Sequence, residues 1–477
     1  MKERLTKFIS GLALGANLLF AATADARAEA TSQAPVREDR LGVCTHFGQH
    51  WSVEGLMPLI ARSGVGWIRD ELGWGALEPT PGKYQIPPQT RAWIGAARRA
   101  GLKIDLILAY GNRAYPDHYN TEAYAKAAAW LAGALASDVE AIEILNEPNN
   151  FGFRTTYGGT WNGNEPAGAV APYLRKYVEL LNAAAKEIKL ATPQMTVIGL
   201  GAPPPANFRM IALGLASQVD GLTDHPYPAQ LPELVPYAAN PEMLRRDGLA
   251  TADLQGTFLS QVSMFRDQAK KYGATEKLWH TEWGYSTVRA QPDKRKPGLT
   301  EEAQAVYILR RILQSTAAGV EHSFIYDFQD DGTNPDSDYE NFGLIKNNRS
   351  PKQSYFALQR LTGLLAEMRM AAPDHQARME GSDPAAENNG LGRQCPTFSS
   401  SDSQKTLVAF WEAKPWEPIA QASSAVVTWP LAPEPRRLTL YDPLTGKETQ
   451  IPWKKSGDNQ ISITVPISSA PKLLIAR

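Results

Sequence analysis

Short apolar runs alternate with amphipathic stretches from about residue 40 to about residue 370, and this alternation predicts the elements. Strand-like runs cover 41–46, 66–70, 103–109, 139–145, 195–201, 219–225, 277–282 and 320–327. Helical spacing fills the gaps between them. Leu174, Val178 and Leu181 follow Pro172, which suits a first helical position; Val306, Leu309 and Leu313 share one face; an amphipathic stretch over 351–368 closes the series. Strands alternating with helices imply a parallel sheet, and eight such units fit a closed (β/α)8 barrel with long loops. An open doubly wound sheet is the competitor, but no Gly-rich phosphate fingerprint follows any of the strands.

Past Met370 the texture changes. Ser, Asp, Asn and Gly dominate through Ser403, and strand patterns without helices follow at 406–411, 425–429, 437–441 and 461–465. Asp442-Pro443-Leu444-Thr445-Gly446 reads as a turn between two strands. The expected division is a signal peptide at 1–28, a catalytic barrel at 36–370 and a small antiparallel, sandwich-like β domain at 371–477. The signal reading rests on Lys2, Arg4 and Lys7 before a mainly apolar run at 8–22, then Ala26-Arg27-Ala28 with small residues where a signal peptidase reads. That run is shorter than the roughly 20 residues of a membrane span and holds Gly11, Gly15 and Asn17. A retained anchor is the alternative. No later segment is long and apolar enough to cross a bilayer, so a secreted or periplasmic protein is expected.

Composition narrows the partners. The 477 residues are 43% hydrophobic and 21% charged, as in a globular chain. Lys plus Arg (49) nearly cancel Asp plus Glu (50), which leaves no electrostatic reason to expect nucleic acid. Twelve Trp and 17 Tyr suit stacking on sugar rings or on one another. Of the two cysteines, Cys44 shares a strand face with His46, so two separate thiols are expected rather than a bridge to Cys395. A monomer is expected.

In such a barrel the chemistry belongs at the carboxyl ends of the strands, where the loops converge. The fourth strand ends in Asn146-Glu147-Pro148, and the seventh in His280-Thr281-Glu282-Trp283. Two carboxyl groups flanking one centre are what glycoside hydrolysis needs, one to protonate the leaving oxygen and one to attack or stabilise the sugar carbon. A separation near 5–5.5 Å makes the second a nucleophile, and the two environments must push the pKa values apart.

These residues resemble the retaining glycoside hydrolases of the large (β/α)8 clan A over roughly 40–370. The likeness extends to Trp67-Ile68-Arg69, Trp74, Glu78-Pro79 with Gly82 and Tyr84, His225-Pro226-Tyr227 and Phe342-Gly343-Leu344. Within the clan the chain is most similar to family 39, particularly exported bacterial enzymes that cut biofilm exopolysaccharide. The resemblance implies that Glu147 is the general acid/base and Glu282 the nucleophile, and that Asn146 binds the sugar 2-hydroxyl. Arg69 beside Glu282 would keep it ionised, although Arg69 could instead pair with Glu143 or Asp70. Tyr227 is expected to donate to Glu282, with His225 on the same wall and His46, Trp74 and Trp283 as further substrate contacts. Many clan members end strand eight with a Trp platform. Here Tyr326 or Phe328 takes that position and Asp327 offers a hydroxyl contact.

Two loops bear on the substrate. The insertion at 149–168 carries Phe151, Phe153, Tyr157 and Trp161, read as sugar platforms or as core packing. A basic stretch at Arg289, Lys294, Arg295 and Lys296 would favour an anionic polymer if it is more than a solvated loop. No cofactor is implied and no metal is required: seven His include no HExxH pair, and the acidic run at 330–340 lacks the DxDxDG order. The expected activity is endo-acting hydrolysis of an extracellular polysaccharide. An exo-acting glycosidase on small glycosides and a non-catalytic carbohydrate-binding or polysaccharide-export barrel stand as alternatives.

Overall fold

Eight strands pair in parallel in chain order, and the last returns to the first to close a barrel. They are β1 (Glu38–Cys44), β2 (Val65–Gly73), β3 (Lys103–Ala109), β4 (Ala141–Ile144), β5 (Thr196–Leu200), β6 (Gly221–Asp224), β7 (Leu278–Trp283) and β8 (His322–Ile325). The computed structural model describes residues 36–477 except 151, 229, 290–297, 381–390, 402–404, 419–422 and 432–433. The expected signal segment therefore lies outside the described residues, as do Phe151 and the basic Lys294, Arg295 and Lys296. Among the described residues no helix is long and apolar enough to cross a membrane.

A helix follows each strand, and local chemistry sets several of the ends. Ser52 caps Val53–Ser63 by accepting from the Gly55 amide, and Gly64 ends that helix in the left-handed conformation that its missing Cβ permits. Pro172 opens Pro172–Ala191 at its first turn. Thr300 caps Glu301–Ala317, with two acidic residues in the first turn. That last helix is buried on nearly every side. The barrel covers one face and the C-terminal strands cover the other.

Those strands form two antiparallel sheets. One contains Ser423–Pro430 and Gln460–Ile467; the other contains Thr406–Glu412 and Lys472–Ala476. Period-2 geometry explains why Thr406–Glu412 is apolar almost throughout. Leu407, Ala409 and Trp411 join the core that runs into the barrel, whereas Val408 and Phe410 join the core between the sheets. Lys472–Ala476 divides in the same way, with Leu473 and Ile475 towards the barrel and Leu474 towards the sheets. A buried ion pair reinforces the seam. Arg310 binds Glu233, and Trp411 Nε1 donates to the same carboxylate at 2.9 Å. Short strands at Met368–Met370, Thr397–Ser400 and Lys472–Ala476 went unread in the sequence. The Asp442–Gly446 turn leads into Glu448–Gln450, another strand too short and polar to show a pattern.

The barrel interior is layered. Trp67, Ala141, Ile198, Trp279 and Phe324 pack with Cys44 as an apolar layer. Above it lie the polar side chains Arg69, Glu143 and Thr281, which meet through direct hydrogen bonds. Cys44 is buried and Cys395 half-buried, and the two are separate thiols.

Candidate active site

Arg69 organises the polar layer. It rises from β2 at 3% exposure, with Nη1 2.7 Å from Glu282 Oε1, Nε 2.6 Å from Glu143 Oε2 and Nη2 2.9 Å from Asn146 Oδ1. The sequence left the Glu143 pairing and the Glu282 contact as alternatives; one guanidinium makes both. With its oxygen occupied by Arg69, the Asn146 amide presents its NH2 group as a donor.

Two backbone irregularities aim the glutamates. On β7, strict alternation would put Glu282 on the outer face with His280. The pairing with β8 advances three residues on β7, from His280 to Trp283, for two on β8, from Ser323 to Ile325. This extra residue is a β-bulge, and it turns Thr281 and Glu282 together towards the barrel mouth. At the end of β4, Leu145 (φ 59°) and Glu147 (φ 42°) adopt the left-handed region that non-glycine residues avoid. Strain of this kind persists where surrounding contacts hold it, commonly at functional sites.

Carboxylate oxygens of Glu147 and Glu282 and a ring nitrogen of His225 lie within 4.8 Å of one another. His225 Nδ1 is 2.9 Å from Glu147 Oε1 and 3.6 Å from Glu282 Oε2. Its Nε2 is 3.1 Å from Thr281 Oγ1, whose hydroxyl donates to Glu143 Oε1 at 3.1 Å. Because Thr281 spends its proton on Glu143, it accepts from His225, which makes Nε2 the protonated nitrogen. One further proton then lies between His225 Nδ1 and Glu147. Asn150 Nδ2 donates to the other Glu147 oxygen at 2.8 Å, and Tyr227 OH donates to Glu282 Oε2 at 3.0 Å.

Burial pushes the Glu282 carboxyl up, but the charges of His225 and Arg69 and the hydrogen bonds from Arg69 and Tyr227 outweigh it and leave it below its ordinary value. Burial lowers His225, yet the facing glutamates raise it overall. Burial drives Asp105, which sits 3.8 Å from Arg69, well up, and neighbouring Glu143 adds to that shift.

The mouth forms a cleft of about 590 Å3 lined by Arg69, Asn146, Glu147, Tyr227, Glu282, His46 and Tyr326. Tyr326 supplies the aromatic wall after β8, 5.5 Å from Phe342 between ring centres; Phe328 is fully buried and packs on Tyr355 instead. Three expected substrate contacts do not reach the cleft. Trp74 is fully buried, bonded to Glu78 at 2.7 Å and stacked on Tyr115. Trp283 is fully buried beyond the bulge and donates to Ser323 Oγ at 2.8 Å. Asp327 lies behind the wall at 1% exposure. His280 also points away from the mouth and packs against Phe258. In the insertion, Phe153 is core, set against Tyr119 and Tyr157, and Trp161 is 45% exposed.

Gln49, Glu71, Tyr110, Asn150, Asp331 and Tyr339 also line the cleft, and sequence reasoning did not single them out as site residues. Asn150 had a usable signal, since it lies three residues past Glu147. The others sit at strand ends and in loops where no periodicity applies.

No protein-family model matches the sequence, and comparison with curated proteins finds no relative. Solved structures do match. A family 39 glycoside hydrolase from the gut symbiont Bacteroides cellulosilyticus WH2 superposes with a TM-score of 0.67 at 21% identity, covering 93% of this chain and 81% of that one. A glucosidase from Croceicoccus marinus gives 0.57 at 14% identity, with 93% and 96% covered. A family 30 subfamily 8 xylanase from Clostridium acetobutylicum gives 0.51 at 10% identity, with 93% and 97% covered. The chain thus has the barrel-plus-β fold of these glycoside hydrolases, across nearly its whole described length.

Proposed function

We propose that the protein is a retaining glycoside hydrolase. The observation that carries this reading is that carboxylate oxygens of Glu147 and Glu282 lie within 4.8 Å of each other in one cleft, an approach that suits direct attack by the second carboxylate better than the wider gap that leaves room for a water. In the first step a Glu282 oxygen bonds to the anomeric carbon while the glycosidic bond breaks and Glu147 gives its proton to the leaving oxygen. In the second step Glu147 takes a proton from water, the resulting hydroxide bonds to the anomeric carbon, and Glu282 is released as carboxylate. Arg69 and Tyr227 keep Glu282 ionised for the attack. In this scheme the Asn146 amide donates to the 2-hydroxyl, a bond that strengthens as the ring flattens.

The substrate of this proposal is a polysaccharide outside the cytoplasm, cut internally. Its supports are the rim tyrosines Tyr110 and Tyr339, at 38% and 84% exposure, which offer ring faces to a sugar chain running past the mouth. Export would follow from the segment at 1–28. The test is hydrolysis of a panel of defined polysaccharides, with product sizes read by mass. Mixed oligosaccharides with a rapid fall in viscosity are expected. Release of single sugars alone replaces internal cleavage by an exo mode, and identical turnover by wild type and Glu282→Gln removes the assignment.

A further inference from the structure

The cleft wall beside β8 and β1 holds a second group of donors that the hydrolytic scheme does not use. His46 Nδ1 and carboxylate oxygens of Asp327 and Asp331 lie within 4.8 Å of one another. One cation with bonds of about 2.0–2.4 Å can span such a set. His46 Nδ1 is 3.0 Å from Asp331 Oδ1, and His50 Nε2 stands 3.9 Å from that same oxygen.

Asp327 supplies an independent observation. It is 1% exposed, and neither of its carboxylate oxygens has a hydrogen-bond partner. A buried acidic group in that state is costly, and native proteins satisfy such groups with a side chain, a water or an ion. The nearby donors are committed elsewhere. Lys352 Nζ binds Asp330 at 2.7 Å, and Trp51 Nε1 binds Asp331 Oδ1 at 3.2 Å.

We propose that His46, Asp327 and Asp331 form a binding site for a divalent first-row cation such as Zn2+ or Mn2+, which His50 can complete from the rim. The donor chemistry selects this class: imidazole nitrogen with carboxylate oxygen suits first-row metals, whereas Ca2+ and Mg2+ favour all-oxygen shells. Two carboxylates balance the charge of the ion. His46 and Asp331 line the same cleft as Glu147 and Glu282, so a cation held there would border the substrate space. The sequence had required no metal, because its histidines form no HExxH pair and the acidic run after the eighth strand lacks the DxDxDG order.

The site stands on its own donors and is tested without any hydrolysis assay. The full chain is stripped with chelator, dialysed and titrated with Zn2+, Mn2+ or Ca2+ in separate arms, with bound metal counted by elemental analysis and the melting temperature followed. One equivalent of Zn2+ or Mn2+ with a raised melting temperature is expected, and no stoichiometric Ca2+. Asp331→Asn and Asp327→Asn should each weaken binding at least tenfold. In chelator, Asp327→Asn should melt no lower than wild type, since it removes an unpartnered buried acid, and with metal it should fall below wild type. Absence of stoichiometric Zn2+ or Mn2+ in wild type overturns the proposal. Unchanged binding in both variants also overturns it.

Discussion

The barrel has a hollow of about 590 Å3 at each end, and the two ends differ in how charge is arranged. At the amino ends of the strands three cations each have their own carboxylate: Lys103 with Asp39 and Lys189 with Asp220, both at 2.7 Å, and Arg98 with Glu140. At the carboxyl ends the partners are shared. Arg69 serves Glu143, Glu282 and Asn146 at once, and His225 stands between Glu147 and Glu282. Two histidines report the same contrast. His322, at the amino end and 4.0 Å from the Trp279 ring, is lowered by burial to about 4. Burial also lowers His46, but its bond to Asp331 and the charge of Asp327 overcome that and raise it to about 9. Volume alone therefore does not mark a site; carboxylates that must share their partners do.

The largest test of this contrast is Glu282→Gln at the carboxyl end, where kcat should fall about 10^4-fold or more, as for other nucleophile deletions. Wild-type turnover in that variant would erase the difference between the two ends. Next comes Arg69→Met, which strands two buried carboxylates and should cost about 3–5 kcal/mol in denaturant unfolding. It should also move the acid limb of the pH–rate profile upward. Glu282 acts ionised, Arg69 holds its pKa down, and losing that charge lets the pKa rise. Tyr227→Phe removes one hydrogen bond to a charged group, about 1.5–3 kcal/mol, and should lower kcat/KM roughly 10- to 100-fold with a smaller shift of the same limb.

The amino end should respond weakly. The His322 pKa in the folded chain, about 4, lies below its ordinary 6.5, so the unfolded chain binds the extra proton and stability falls as pH drops between those values. His322→Gln should flatten that slope in melting temperature and leave turnover alone. Lys189→Ala breaks a partly exposed pair and should change stability by about 0–1 kcal/mol, with no effect on activity. An activity loss there would make the amino end functional and sink the contrast.

Legibility in the sequence followed the same divide. Strand order and the two strand-end glutamates could be read because apolar periodicity reports burial, and a barrel gathers its strand ends at one mouth. Trp74 and Trp283 misled because an aromatic at a strand end serves packing as readily as substrate, and only the bulge before Trp283 decides which way each neighbour turns. Gln49 and Glu71 carried no signal, since loop and strand-end side chains meet through space and not at fixed spacings.

By itself, the sequence determined the eight strand–helix units, the β region after them and the pair Glu147 and Glu282, because each depends on local pattern or on a strand's position in the ring. The tertiary structure alone decided that Arg69 would be shared, that a bulge would turn Glu282 inward, and that His46, Asp327 and Asp331 would converge. Those outcomes depend on backbone irregularity and on through-space charge pairing, and neither leaves a periodic trace along the chain.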